Sequence, residues 1–485
     1  MDRTATLPAI PLGVLSAVAA AAPSDDASDI DERSVLHRLV QRVSFGATAS
    51  EVAAAEQLGF AGYLERHLNP ASIDDSALGA MLAPLATLGM APGALFAQEA
   101  ATPGFADRVR DEARVAAVIR AVFSRRQLLE RMVEFWTDHF YVPCTDDQYL
   151  RMLAPLHYRD AMRPNALGAF PAMVAASGSS PAVLRYLNAD VSTAGAINEN
   201  FAREALELHT LGLGGGYTHD DIVALARCMS GWTWWGPGDA GAELGTFRFR
   251  LSAHDNLPKT FLGVSMPGNR GIEDGQQALA LMAAHPSAAS LIATRLAARF
   301  IGDDPPGRVV SAAENAFRQS GGDTRATLRA LLTPPNLYEA PPKVKRPMHL
   351  AASALRALGS SVADWGEVLL RLGEMGHTPY AWPAPNGYPD DGAHWSGLLA
   401  PRWNLASDLA LNQVSGVSSD VAGVVGLASG GAELAARLDA VLCGGRMPPA
   451  QRAALAQFIT ANLPDPSSRM DAVGLTLGCP AFLTY

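Results

Sequence analysis

The stretch from about residue 107 to residue 142 constrains this chain most, because apolar and charged residues recur there at helical spacing until Pro143 closes the run. A period of about 3.6 residues places side chains three and four apart on one face, so such a run folds as amphipathic helix and not as strand. Similar spacing predicts helices over 34–43, from Thr48 or Ser50, and over 61–67, 147–159, 165–176, 182–187 and 198–211. It predicts others over 272–284, 288–300, 310–320, 324–333, 345–358, 365–373, 396–412, 430–442, 448–460 and 468–477. Alanine and leucine dominate, with few consecutive β-branched residues, which favours helix over sheet. The expected fold is mainly α: a multi-helical globular fold with Trp/Pro-rich loops and at most a small β-hairpin. That hairpin is placed within 232–269, where short alternating segments such as 246–251 occur.

A chain of 485 residues exceeds the size at which single apolar cores usually stop growing. The expected organisation is a leader over 1–33, a helical domain over 34–405, and a C-terminal helical extension over 406–485 packed on it. The leader has Arg3 ahead of an apolar run over 7–22, with Ala17, Val18 and Ala19 as a candidate cleavage site before the acidic 24–32 linker. A functional leader places the chain in the periplasm or outside the cell, and a silent one leaves it in the cytoplasm. No later stretch has the uninterrupted apolar character of a membrane span. The formal charge of −10, from 48 acidic against 38 basic residues, gives no general electrostatic footprint for nucleic acid. Cys144, Cys228, Cys443 and Cys479 include no closely spaced pair, so neither a metal knuckle nor a disulfide framework is indicated, and an isolated bridge stays open.

The polar residues of interest lie on two helices. Over 198–211, Glu199, Asn200, Arg203, Glu204 and Glu207 share one broad face, and Phe201, Ala202, Ala205, Leu206 and Leu208 the other. Glu204 and Glu207 are candidate carboxylate ligands or general bases, with Arg203 holding Glu199 or an anionic ligand and Asn200 available for binding. The same pattern equally suits an ion-pair network. On the second helix Glu130, Glu134 and Asp138 recur on one side, while His139 lies with Met132, Phe135 and Trp136. His209 also projects with the apolar face of its helix, so packing the two faces together makes His139 and His209 neighbours. His139, Glu204 and Glu207 then form the candidate ligand set for a divalent metal, without an HExxH pattern or cysteine cluster to support it. A histidine on an apolar face is more often a hydrogen-bonded core residue.

Loops supply the remaining candidates. Trp232, Trp234 and Trp235 offer apolar faces and indole donors to a sugar or peptide, and they equally seal a helix junction. His254 and Asp255 are candidate acid–base groups if brought opposite the central carboxylates, and turn formers otherwise. Trp382, in the proline-rich 382–389 loop, and Arg402 beyond it suit a pocket rim, with Arg402 able to hold a carboxylate or phosphate. Asp274, His285, Lys343, Lys345 and Arg346 fit helix termini or solvated surfaces.

In chain order these elements resemble the bacterial domain-of-unknown-function 1800 family over about residues 34–405. The likeness rests on Leu36-His37-Arg38-Leu39, Ser44-Phe45-Gly46, the 134–140 segment, the 198–212 block, Gly216-Tyr217-Thr218 and Gly231-Trp232-Thr233. It continues through His254-Asp255, 259–263, His285-Pro286, 343–347 and the 382–388 loop. The resemblance implies a shared architecture and directs attention to His139, Asn198, Glu199, Asn200, Arg203, Glu204, Glu207, Trp232, His254 and Asp255. It also implies export or a sulfatase-like companion protein, and an aromatic residue as an alternative at the position of His209. Two functions follow as expectations: a polar-ligand or divalent-metal pocket, including a hydrolase, and a non-enzymatic module binding protein, peptide or carbohydrate through the Trp-rich loops.

Overall fold

The computed structural model describes residues 32–144, 147–239, 243–462, 465 and 467–485; the expected cleavage site lies outside them. Within them the chain is mainly α-helical, and β structure is confined to three two-stranded antiparallel ladders. Trp232–Trp234 pairs with Phe247–Phe249, Lys259–Phe261 with Val264–Met266, and Ser361–Val362 with Val417–Ser418.

Local chemistry sets the helix limits. Thr48 opens Ala49–Leu68 with a capping box in which its hydroxyl accepts from the Glu51 amide and the Glu51 carboxylate accepts from the Thr48 amide. The separate helix expected over 61–67 is the second half of this element, bent at Gly59 where φ is 68°. Thr218 and Asp221 form the same reciprocal cap on His219–Met229. The run over 107–142 divides into Phe105–Phe123 and Gln127–His139. Ser124 causes the break: its hydroxyl accepts from the Arg126 amide and donates to Asp75, while Gln127 donates to the carbonyls of Ala121 and Ser124.

The helix expected over 198–211 starts as Asn200–Glu204 and continues as a π-helical segment, Ala205–Thr210. There the Leu211 amide bonds the Leu206 carbonyl at 2.9 Å, five residues back.

Two apolar clusters form the interior. One gathers side chains from Val35 to Ala340, including Trp136, Phe140, Phe170, Leu206 and Phe300. The other joins Phe45 and the Val118–Val122 side of the Phe105–Phe123 helix to residues between Met348 and Phe482. The Gln127–His139 helix lies in the first cluster, and Pro347–Ala357, whose side chains fill the second, carries Arg346 at its N-cap. The charged residues described below cross between these two helices.

Four of the eight tryptophans serve as core. Trp136, Trp232, Trp234 and Trp395 are buried. A Cβ placed on Gly275 lies 2.5 Å from Trp232 Cζ2, so the helix Ile272–Ala284 approaches the indole through a residue with no side chain. Gly275→Ala gains about 1 kcal/mol of helix propensity but loses about 1–3 kcal/mol to overpacking against a ring that cannot move aside. We expect a lower urea midpoint for this variant; a higher one shows that the indole gives way.

Candidate functional site

Every residue of Gln127–His139 except Leu129 is buried, so its polar side cannot use water and must find partners inside the protein. Glu130, Glu134 and Asp138 stand one turn apart along that side. Arg163 grips Glu130 with two bonds of 2.9 and 2.7 Å. Arg131 reaches Glu134 at 3.2 Å, and Arg299 donates to Glu134 at 2.9 Å, to Asp138 at 3.0 Å and to Asp390 at 2.5 Å. Arg346 donates to Asp138 at 2.6 Å and lies 3.8 Å from Glu134. Lys343 pairs with Asp303 and sits 3.5 Å from Asp390. Burial raises the Asp138 carboxyl against the pull of Arg346 and Arg299. Burial pushes Asp390 the same way, but Arg299, Lys343 and Arg346 outweigh it and hold that carboxyl well below the usual range.

Beside these pairs lies a cavity of about 50 Å³, lined by Glu134, Thr137, Asp138, Tyr141, Arg346, His377 and Tyr388 among others. Of its lining residues, Glu134 and Thr137 have a buried side-chain oxygen, Oε1 and Oγ1, with no hydrogen-bond partner. The 382–388 loop closes over the helix end. A Cβ on Gly387, whose φ is 67°, would fall 2.1 Å from the Asp138 carbonyl oxygen, so only glycine lets the loop seat this closely. The Trp382 amide donates to the Tyr141 hydroxyl at 2.6 Å, the Trp382 indole to Asn386 at 3.0 Å, and the Tyr388 hydroxyl to the Thr378 carbonyl at 2.6 Å.

On the other side of the same helix His139 and His209 meet, with ring centroids 6.2 Å apart. Arg295 donates to His139 Nδ1 at 2.8 Å; because a guanidinium has no acceptor, the ring proton sits on Nε2 and is donated to the His209 carbonyl, also at 2.8 Å. Both nitrogens of His139 are thus occupied. Glu204 and Glu207 stay on the half-buried face, where Arg203 lies 3.4 Å from Glu199 and 3.6 Å from Glu207. Burial, and then the charge of Glu207, raises the Glu204 carboxyl. Among the described residues no group of three or more His, Cys, Asp or Glu is arranged to hold a metal ion. His139, Glu204 and Glu207 are therefore not brought together as a ligand set.

The other expected residues have local partners. His254 Nδ1 bonds the Ser230 carbonyl at 2.8 Å and its Nε2 lies 3.3 Å from Asp274, which Lys259 also reaches at 2.6 Å. Asp255 pairs with Arg227 at 2.7 Å. Asn200 is exposed, its amide side chain reaching the Leu187 carbonyl at 3.3 Å. Arg402 is buried and donates to the carbonyls of Lys345 and Trp395 at 2.9 and 2.8 Å, so it braces backbone instead of lining a rim. The solvated placement expected for Asp274, Lys343, Lys345 and Arg346 is corrected: they are 0%, 3%, 1% and 4% exposed. Asp274, in the first turn of Ile272–Ala284, and Arg346, the N-cap of Pro347–Ala357, do stand at helix termini. Arg299 and Asp390 went unnoticed in the sequence; an arginine inside the apolar spacing of Pro286–Phe300 was the available signal.

A family model described as a protein of unknown function, DUF1800, matches residues 38–484, running on past residue 405. No curated protein and no solved structure matches the chain.

Replacing Asp138 by Ala removes the closer of the two buried carboxylates that Arg346 shares with Arg299, leaving only Glu134 at 3.8 Å from Arg346. The expected loss is about 3–5 kcal/mol in urea unfolding, and a loss under about 1 kcal/mol contradicts the pairing. The histidines generate a pH dependence. Burial lowers His157 to about 4 and His209 to about 3, so the folded state refuses protons that the unfolded chain accepts below its ordinary 6.5. Stability is therefore complete above about pH 6.5 and falls as pH drops toward 4, by at most about 1.4 kcal/mol per pH unit for each histidine. His209 Nε2 has no partner, so His209→Phe should flatten this slope with little loss at pH 7, measured by urea midpoints at pH 7, 6 and 5.

Proposed function

We propose, taking as premise that the chain belongs to the DUF1800 family, that it is a binding protein for a neutral, hydroxyl-bearing ligand such as the end of a carbohydrate. The observation that carries this reading is that Glu134, which lines the cavity beneath the 382–388 loop, keeps its buried Oε1 without a hydrogen-bond donor, Arg346 standing 3.8 Å away. A buried carboxylate oxygen without a donor favours a ligand that brings one. Thr137 Oγ1, likewise unpartnered, can both donate and accept, which matches a hydroxyl.

Charge balance argues for a neutral ligand. Glu130, Glu134, Asp138, Asp303 and Asp390 stand against Arg131, Arg163, Arg299, Arg346 and Lys343, so the cluster carries no surplus to attract an ion. Tyr141 and Tyr388 line the cavity, and Trp382 lies 5.2 Å from Tyr388 with the rings tilted by 50°, giving apolar ring surfaces of the kind that receive a sugar. About 50 Å³ holds a few waters or one hydroxymethyl group, so the cavity receives a ligand's end while the loop contacts its body. Glu134 is held by Arg131 and Arg299 as an acceptor, which supports binding over hydrolysis.

Saturation-transfer NMR and calorimetry with methyl α-glucoside, N-acetylglucosamine and myo-inositol test the reading. We expect at least one to bind, and Glu134→Gln and Trp382→Ala each to weaken it by about tenfold or more with helical content retained. Silence across the three probes, or affinity indifferent to both changes, removes the proposal.

A further inference from the structure

Two cysteines far apart in the sequence meet in the second core. Cys443 ends the π-helical segment Asp439–Cys443, and Cys479 caps the turn Pro480–Leu483. Both thiols are free, with their sulfurs 4.0 Å apart. Cys443 is fully buried, whereas Cys479 is partly exposed. One guanidinium holds both segments: Arg446 donates to the Cys443 carbonyl at 2.9 Å and to the carbonyls of Ala481 and Thr484 at 2.9 and 3.1 Å. The sulfurs therefore face each other across a braced backbone. Closing to the bond length of about 2 Å brings the sulfurs about 2 Å nearer.

The two thiols are unequal. The hydrogen bond from Cys443 lowers the Cys479 thiol against the effect of burial, and the amides of Phe482 and Ala481 and the charge of Arg446 act in the same direction. Cys144 and Cys228 are buried elsewhere, and burial pushes both thiols up to about 12. Accessibility and thiolate character thus single out Cys479 as the attacking sulfur, with Cys443 in place to resolve it.

We propose that Cys443 and Cys479 form a reversible, peroxide-oxidised disulfide pair, independent of the ligand reading above. The Cys479 thiolate attacks hydrogen peroxide; an S–O bond forms, the O–O bond breaks and hydroxide leaves, oxidising the sulfur to a sulfenic acid. Cys443 then attacks that sulfur, the S–S bond forms, the S–O bond breaks, and hydroxide departs with the Cys443 proton as water. In sum, two thiols and one peroxide give one disulfide and two waters.

The bond would close just ahead of the chain's last strand-like segment. Lys345 donates its amide to the Leu483 carbonyl, and Lys343 and Tyr485 exchange amide–carbonyl bonds, all at 2.9 Å. Tyr485 in turn accepts from Arg131 at 3.1 Å. Oxidation therefore fastens the segment that braces a member of the buried charge layer.

The experiment is peroxide treatment of the full reduced chain, followed by non-reducing peptide mapping. The expected result is a Cys443–Cys479 linked peptide lighter by two hydrogens and released by dithiothreitol, with Cys144 and Cys228 still alkylatable. Cys443→Ser should trap a dimedone adduct on Cys479, and Cys479→Ser should leave Cys443 unlabelled. Both thiols remaining free to alkylate, or Cys479 advancing to sulfinic acid without a linked peptide in the unmutated chain, overturns the proposal. The unmutated map decides the matter even if a variant fails to fold.

Discussion

The guanidinium–carboxylate contacts at the end of the Gln127–His139 helix are what the two apolar clusters share. Arg299 from Pro286–Phe300 and Arg346 from the N-cap of Pro347–Ala357 converge on Glu134 and Asp138, and Asp390 from the loop beyond pairs with Arg299. Removing such ions from water costs several kcal/mol each, and only mutual attraction with well-aimed hydrogen bonds offsets it. The consequence is geometric more than energetic. Each ion must lie where its partners are, so the layer dictates how the helices from the two halves of the chain are placed against one another.

The cavity is a by-product of the same constraint. Arg299 and Arg346 approach the Glu134–Asp138 side from directions set by their own helices, and their donors do not cover every oxygen. Glu134 Oε1 and Thr137 Oγ1 are what remains, enclosed by the loop that Gly387 allows to settle on the Asp138 carbonyl. Polar selectivity arises where the packing of rigid elements leaves a gap that no internal donor fills.

How much of this was legible depended on sequence distance. The helical architecture follows from local spacing, and the structure has it. The meeting of His139 and His209 was also readable, because both project from apolar faces that must pack. The charge layer was not, since Asp138 and Arg346 are 208 residues apart and nothing local distinguishes a buried arginine from a solvated one. For that reason Lys343, Lys345 and Arg346 read as helix-terminal or solvated, and all three are interior, with Arg346 at a helix N-cap. The break at Ser124 was hidden because helical spacing continues on both sides of it, and a hydroxyl's competition for backbone bonds has no period.

The π-helical segment at Ala205–Thr210 fits one residue more into its turn than an ordinary helix would, and it is the carbonyl of His209, inside that wider turn, that receives the His139 proton. Shortening the chain there by a single amino acid would turn the wide turn into an ordinary one and leave the residues beyond it in their present orientation. Insertions and deletions of one residue at this spot are consequently a change of length, not of phase. An alignment that places a one-residue gap here superimposes residues that face the same side of the molecule.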